Sequence, residues 1–360
     1  MPVHTIQPTT TADDEATAPD FEHERVLIVT GERSGLTICV AVHSTVLGQA
    51  LGGCRLWPYD RWQDAMADAL RLSSAMTLKN AAAGLNRGGG KAVIFIPRGT
   101  VLTDEGRQAA MLDLGDAVES LGGSYMTAED VGTTAELMSV VALRTNHVCG
   151  LPHDQGGAGE PADATAAGVH AALRSTLGAL YGRSDARGRH IVVSGLGQVG
   201  GRLARRLAAE GAKLTVTDVD ESKRALATEL GATWATPEEA LRTEADILAP
   251  CGLGGVLTTE VVDGLRVAGV AGAANNQLAD RSVARRLAAR GILWAPDFIA
   301  NAGGVIHLDG SSHPDADPDA IALRVEGIGE TMDAVFRDAA ASGITTLEAA
   351  ERLARARLTR

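Results

Sequence analysis

The sequence predicts an α/β chain of two domains, the second a doubly wound parallel sheet, and three observations carry that prediction. From Arg189 onward, short apolar runs alternate with helical patterns. The turn Gly195-Leu196-Gly197-Gln198-Val199-Gly200 stands between one such run and a helix. Before it, His153–Pro161 is glycine-rich and lacks apolar periodicity, which marks a domain boundary. Residues 1–20 are expected to be a disordered tail, 21–162 together with 341–360 the first domain, and 163–340 the second.

With 360 residues, 45% of them hydrophobic, the chain can bury a core in each of two domains. Its net charge of -12 opposes binding to a phosphate backbone and no basic run overrides it, so nucleic acid is not expected as a partner. Cys39, Cys54, Cys149 and Cys251 are scattered, with neither C-x-x-C nor H-E-x-x-H, so no disulfide framework and no metal site are expected. Residues 1–20 lack the basic and apolar regions of a signal peptide, and no apolar run approaches a membrane span. A cytoplasmic protein without membrane contact is expected.

Val26–Thr30 and Leu36–His43 are β-branched runs flanking Gly31–Gly35, which predicts an antiparallel hairpin. In Gly48–Tyr59, the paired Gly52 and Gly53 with Arg55 either offer bare backbone and one fixed charge to a ligand or form a bulged strand end. Asp60 can cap a helix in which Trp62, Ala65, Met66, Ala69, Leu72, Ser73 and Met76 share a face. Lys79 continues that apolar face, where an ammonium requires a compensating anion such as a ligand.

Gly88-Gly89-Gly90 removes three side chains just before Lys91, which opens the apolar strand Ala92–Ile96, and bare backbone there allows a ligand to approach closely. Two ammonium groups thereby converge on one small cavity. Crowding and burial favour the neutral amine, the form in which a lysine acts as general base. A helix near Glu105–Leu121 precedes the strand Ser124–Ala128, which runs into Asp130 at a strand-to-helix junction. Alone, Asp130 reads as a helix cap; beside two lysines it can also supply counter-charge and a proton relay.

A helix from about Asp163 to Tyr181 opens the second domain. Arg189–Ser194 reads as a strand, Gly195–Gly200 as the turn, the residues to Glu210 as a helix and Lys213–Thr217 as the next strand, ended by Asp218. This is the context of a Rossmann dinucleotide fingerprint, in which an acid about twenty residues on bonds the ribose 2′-hydroxyl. Strands at Asp246–Ala249, Val267–Ala271 and Ile292–Ala295 alternate with helices at Pro237–Arg242, Leu257–Leu265 and Ala279–Arg290. The loops Pro250–Gly255, Ala271–Asn276 and Pro296–Gly304 follow the carboxyl ends of strands, where ligands of such sheets bind. Residues 317–340 and 344–358 predict helices.

The motifs Leu51-Gly-Gly-Cys-Arg55, Met76-Thr-Leu-Lys79-Asn-Ala-Ala-Ala-Gly, Gly88-Gly-Gly-Lys91, Thr127-Ala-Glu-Asp130-Val-Gly-Thr, the Gly195 turn, Gly272-Ala-Ala-Asn-Asn-Gln and Ala295-Pro-Asp-Phe-Ile-Ala-Asn-Ala-Gly-Gly together resemble the glutamate/leucine/phenylalanine/valine dehydrogenases. The resemblance runs from about residue 24 to the end. It implies an N-terminal α/β substrate and oligomerisation domain, a Rossmann NAD-binding domain, a cleft between them and a homo-oligomer. The implied reaction is NAD-dependent, reversible oxidative deamination of an L-amino acid to a 2-oxo acid and ammonium.

Residue by residue, the resemblance makes Lys79 the holder of the substrate carboxylate, Lys91 the activator of water and Asp130 the group exchanging protons with the amino nitrogen. Gly53, Leu51, Ala128 and Asn275 match substrate contacts. Arg55, Thr165, Gly195 to Gly200, Asp218, Gly252, Leu253 and Asn275 match cofactor contacts. Departures occur at Ser74-Ala75, at Arg87 and in the loop Gly159–Thr165. Leu51 stands where glutamate-specific members carry a lysine. Leu51, Ala128, Val325 and Ile328 are all apolar, which favours valine, leucine or isoleucine, whereas Ala249–Val261 and Pro296–Gly304 are closer to phenylalanine dehydrogenases. Phenylalanine oxidation is therefore the alternative, and a catalytically silent NAD-binding regulator a remote one.

Overall fold

The computed structural model describes residues 4–6, 22–155, 157–313 and 315–359. They fall into two compact units, one reaching to Glu160 and taking in the chain from Arg357, the other Pro161–Ala356. The sequence reading placed all of 341–360 in the first. The difference lies in the last helix, Thr346–Leu358: its Leu347 packs among Leu257, Val283 and Leu287, and its Glu351 carboxylate pairs with Arg281, all in the second unit.

The first unit is built on β1 (His4–Ile6), β2 (Arg25–Thr30), β3 (Thr37–Ser44), β4 (Ala50–Tyr59), β5 (Gly88–Pro97) and β6 (Tyr125–Glu129), in the order β1-β2-β3-β5-β4-β6. β2 and β3 form the expected antiparallel hairpin, closed at Thr30↔Thr37, and β4 runs parallel to both β5 and β6. His4–Ile6, read from sequence as tail, pairs antiparallel with Val26–Ile28 because β2 offers a free edge there. The rest of residues 1–20 lies outside the described residues.

Strand periodicity sorts the sheet into two faces. Cys39, Ala41 and Val93 pack against Ala65 and Ala69 of α1 (Trp62–Ala82). Val40, Cys54, Leu56, Ile94 and Tyr125 pack on the other side against Met111, Leu114 and Val118 of α2 (Asp104–Glu119) and Met138 and Val141 of α3 (Ala135–Ala142). Asp60 does not cap α1: its carboxylate pairs with Arg98, and the capping position is Arg61.

The second unit opens with α4 (Ala162–Tyr181) and holds β7 (His190–Ser194), β8 (Lys213–Thr217), β9 (Thr233–Trp234), β10 (Glu244–Pro250), β11 (Arg266–Val270) and β12 (Leu293–Trp294). All ladders are parallel and the order is β12-β11-β10-β7-β8-β9, so the winding reverses between β7 and β10. α5 (Gln198–Ala209) follows β7. The stretch 317–340 becomes two helices, Pro318–Glu326 and Ile328–Ser342, broken at Gly327. Pro296–Gly304, read as a loop, contains the short helix Asp297–Ala300 and the start of Gly303–Ser311. No helix among the described residues is long and apolar enough to cross a membrane.

Candidate active site

In the first unit the site grows out of sheet register. Cys54 pairs with Ala92 on one side and Glu129 on the other, and Gly53 pairs with Ala128. Gly53 therefore lies in one row with Lys91 and Ala128, and two residues on, Arg55 and Asp130 continue the same face. Lys91 Nζ reaches 2.9 Å from Asp130 Oδ2, although β4 lies between their strands. The span is open because the residue between them, Gly53, has no side chain. Arg55 Nε approaches the same oxygen at 3.1 Å. Lys91 is buried, with 6% of its side chain exposed against 20% for Asp130 and for Arg55.

Burial by itself raises the Asp130 carboxyl, but the Lys91 and Arg55 charges outweigh it and hold it below the usual carboxylate range. Asp130 is not a helix cap. Thr134 caps α3, while the Asp130 backbone N–H donates to Thr133 Oγ1 at 2.9 Å. The neighbouring Glu129 behaves oppositely: burial, then Glu160, Glu136 and Asp130, push it up to about 6.

The triple glycine serves a purpose that the sequence reading missed. A Cβ on Gly89 would lie 2.1 Å from Thr77 Oγ1, one on Gly90 2.5 Å from the Tyr125 ring and one on Gly88 1.8 Å from the Ser44 carbonyl oxygen. These glycines admit other parts of the protein, with α1 pressed onto β5. Asn80 fastens the end of α1 by donating through Nδ2 to the Leu51 and Gly88 carbonyls at 3.1 and 2.6 Å. Lys79 stands in that last turn, where a cation also complements the helix dipole. Leu51 and Ala128 are buried on the face that carries Lys91, at 1% and 2% exposure.

Sequence reasoning also missed Asp68. This α1 carboxylate accepts from Arg55 at 2.8 Å and Tyr59 at 2.7 Å through Oδ2, and from Arg71 at 2.7 Å through Oδ1. The available signal was that Arg55 and Tyr59 lie four apart on one face of β4, so the covering helix had to offer them an acceptor.

In the second unit the three fingerprint glycines have separate reasons. Gly195 has φ +105°, and a Cβ there would lie 2.7 Å from the Gly252 nitrogen. Gly200 would place one 1.9 Å from the Gly195 carbonyl oxygen, whereas nothing lies within 4 Å of Gly197. Gly197 caps α5 without a side-chain acceptor, and no acid occupies the first turn, where Gln198 and Val199 stand. Its N–H groups and positive dipole end suit a pyrophosphate. Asp218 accepts from the Leu196 N–H at 2.6 Å and the Asp220 N–H at 2.9 Å, which fixes its carboxylate beside the turn.

Gly252 and the exposed Leu253 follow β10, and Asn275 Oδ1 accepts from Asn301 Nδ2 at 2.8 Å. Thr165 Oγ1 donates to the Pro161 carbonyl at 2.9 Å and lies 2.5 Å from where a Cβ on Gly304 would be. Val325 and Ile328 are buried within this unit, Ile328 against Gly168.

A parallel sheet with a phosphate-ready turn and an acid just past the end of its second strand, in a chain that also holds a buried lysine–carboxylate pair, defines a dinucleotide-dependent oxidoreductase. Residues 23–147 match the Glu/Leu/Phe/Val dehydrogenase dimerisation domain, and residues 215–312 match Glutamate/Leucine/Phenylalanine/Valine dehydrogenase. The chain is 40% identical over 339 residues to leucine dehydrogenase of Bacillus cereus, covering 94% of this chain and 91% of the relative. It is 42% identical over 340 residues to valine dehydrogenase of Streptomyces albus, covering 93% and 92%. It is 38% identical over 343 residues to phenylalanine dehydrogenase of Bacillus thermotolerans, covering 94% and 88%. The crystal structure of L-tryptophan dehydrogenase from Nostoc punctiforme superposes with a TM-score of 0.79 at 34% identity, covering 94% and 96%. The chain belongs to the glutamate/leucine/phenylalanine/valine dehydrogenase family. It is an NAD-dependent amino acid dehydrogenase, an oxidoreductase acting on CH–NH2.

Proposed function

We propose that this chain deaminates a branched-chain L-amino acid, valine, leucine or isoleucine, reversibly to the 2-oxo acid and ammonium. The observation that carries the reading is the buried Lys91–Asp130 pair at 2.9 Å, on the same sheet face as Leu51 and Ala128. Lys79 holds the substrate carboxylate. Lys91 deprotonates the water that attacks the oxidised Cα=N carbon, and Asp130 exchanges protons with the nitrogen until ammonium leaves. Asp130 begins ionised, as its lowered pKa requires, so its first act is to take a proton from the substrate ammonium. NAD, when bound, supplies the hydride acceptor for Cα.

The cofactor is held by Gly195 to Gly200, with Asp218 on the adenosine ribose, and by Arg55, Thr165, Gly252, Leu253 and Asn275. The uncapped α5 N-terminus and the fixed Asp218 carboxylate fit that group. Leu51 and Ala128 face the substrate side chain with Gly53 between backbone and ligand, and Asn275 completes the substrate contacts. Buried Leu51 offers no cation to a distal carboxylate, which disfavours glutamate. The working form is a cytoplasmic homo-oligomer.

Phenylalanine is the second reading, favoured by the sequence of 249–261 and 296–304. A screen of NADH formation at alkaline pH with the proteinogenic L-amino acids decides the matter. Highest kcat/KM for valine, leucine or isoleucine is expected; a strong preference for phenylalanine overturns the branched-chain reading, and no amino-acid-dependent NADH overturns the reaction.

A further inference from the structure

We propose that Asp68 is a positioning residue of the reaction, holding the Arg55 guanidinium on Asp130 from the opposite side. The inference rests on the reading that Lys91 and Asp130 carry the proton traffic. Five charges alternate in one line: Arg71, Asp68, Arg55, Asp130, Lys91, joined by contacts of 2.7, 2.8, 3.1 and 2.9 Å. Arg55 divides itself between two carboxylates, Nε to Asp130 and NH1 to Asp68. An arginine side chain has several rotatable bonds, and one contact leaves most of that freedom. The second contact fixes it.

The anchor itself is fixed. Asp68 sits in mid-α1 with 15% of its side chain exposed, and the Tyr59 hydroxyl and Arg71 donate to it from two sides. A cavity of about 370 Å³ adjoins the network, lined by Arg55, Trp57, Tyr59, Asp64, Asp68 and Arg71. Without Asp68, Arg55 has room to swing into that cavity toward Asp64 and leave Asp130 with Lys91 alone. Among the described residues, the charged groups that act on Asp130 are Lys91 on β5 and Arg55 on β4, while Cys54 and Glu129, which feel its charge, stand on the opposite face of the sheet.

The sign of the effect separates positioning from simple charge. Removing a nearby cation raises the pKa of Asp130, whereas removing a nearby anion lowers it. Asp68→Ala frees Arg55, so the acidic limb of kcat/KM against pH is expected to move up by about one unit. Asp68→Asn keeps an oxygen for Arg55 but loses the charge, so its limb is expected to move down. Asp68→Glu restores the anchor and the wild-type limb. In an Arg55→Ala background, Asp68→Ala is expected to give no upward shift, since nothing remains to be positioned.

The measurements are pH profiles of the full-length enzyme with its best amino acid, thermal melts confirming that each variant folds, and activity of Asp130→Asn. If Asp68→Ala does not fold, the contrast between a lowered limb in Asp68→Asn and an unmoved one in Asp68→Glu carries the test. An unmoved or lowered limb in Asp68→Ala, the same upward shift in both backgrounds, or Asn and Glu limbs moving together overturns the role of Asp68. Substantial activity in Asp130→Asn overturns the underlying reading instead.

Discussion

A methyl group on Gly53 would stand 2.9 Å from the Cβ of Asp130 and 2.4 Å from the carbonyl oxygen of Glu129. Both distances are too short for any side chain, so the strand row that lets Lys91 reach Asp130 also locks the identity of the residue beneath it. Gly53→Ala is therefore expected to displace the end of β6 and part Lys91 from Asp130. The expected outcome is a kcat lower by at least about tenfold and a stability loss of about 1–3 kcal/mol for overpacking. Chemical denaturation and steady-state kinetics check both.

Lys91→Ala and Asp130→Asn are expected to abolish turnover, and Lys91→Ala is expected to do so while NADH binds normally, because the Gly195 turn lies in the other unit. Lys79→Ala is expected to act on KM, through loss of a charge-assisted bond worth about 1.5–3 kcal/mol. Fluorescence titration with NADH beside kinetics separates the two cases. Loss of NADH binding in Lys91→Ala contradicts the assignment.

Glu129 gives a stability signature with a definite sign. Its folded pKa, about 6, lies above its ordinary 4.5, so the folded state binds the extra proton. The stabilisation that this brings is full below the ordinary value and is lost as pH rises through 6. Glu129→Gln removes the titration, so its melting temperature relative to wild type is expected to be higher at pH 7.5 than at pH 4.5. A difference in melting temperature that does not change with pH counts against a raised Glu129.

Asp218→Ala is expected to lower kcat/KM for NAD by about ten- to a hundredfold, as loss of a charged acceptor implies. Discrimination against NADP should fall at the same time, because no carboxylate then repels a 2′-phosphate. Kinetics with both cofactors test this, and unchanged NAD preference removes Asp218 from cofactor choice.

Much of this was legible in the sequence. The β-branched runs around Gly31–Gly35 announced the hairpin, the apolar runs alternating with helical patterns and the Gly195 turn announced the parallel sheet, and the strand Ser124–Ala128 led to the junction at Asp130. What stayed hidden depends on contacts between distant segments. Asp68 is an ordinary helix carboxylate until β4 brings Arg55 and Tyr59 under it. Gly88 to Gly90 looked like room for a ligand, since sequence cannot tell whether a missing Cβ makes way for substrate or for a helix. Residues 341–356 carry the same helical pattern whichever unit they pack on, and the Arg281–Glu351 pair decided it.

Gly52, Gly53, Gly88, Gly89 and Gly90 each have a protein atom within 2.5 Å of the place a Cβ would occupy. For mutational tolerance, this makes the floor of the site a closed block: a saturation library would return almost nothing viable from these five codons. Evolution or an engineer seeking a new substrate must work through the side chains around that floor, Leu51 and Ala128 first.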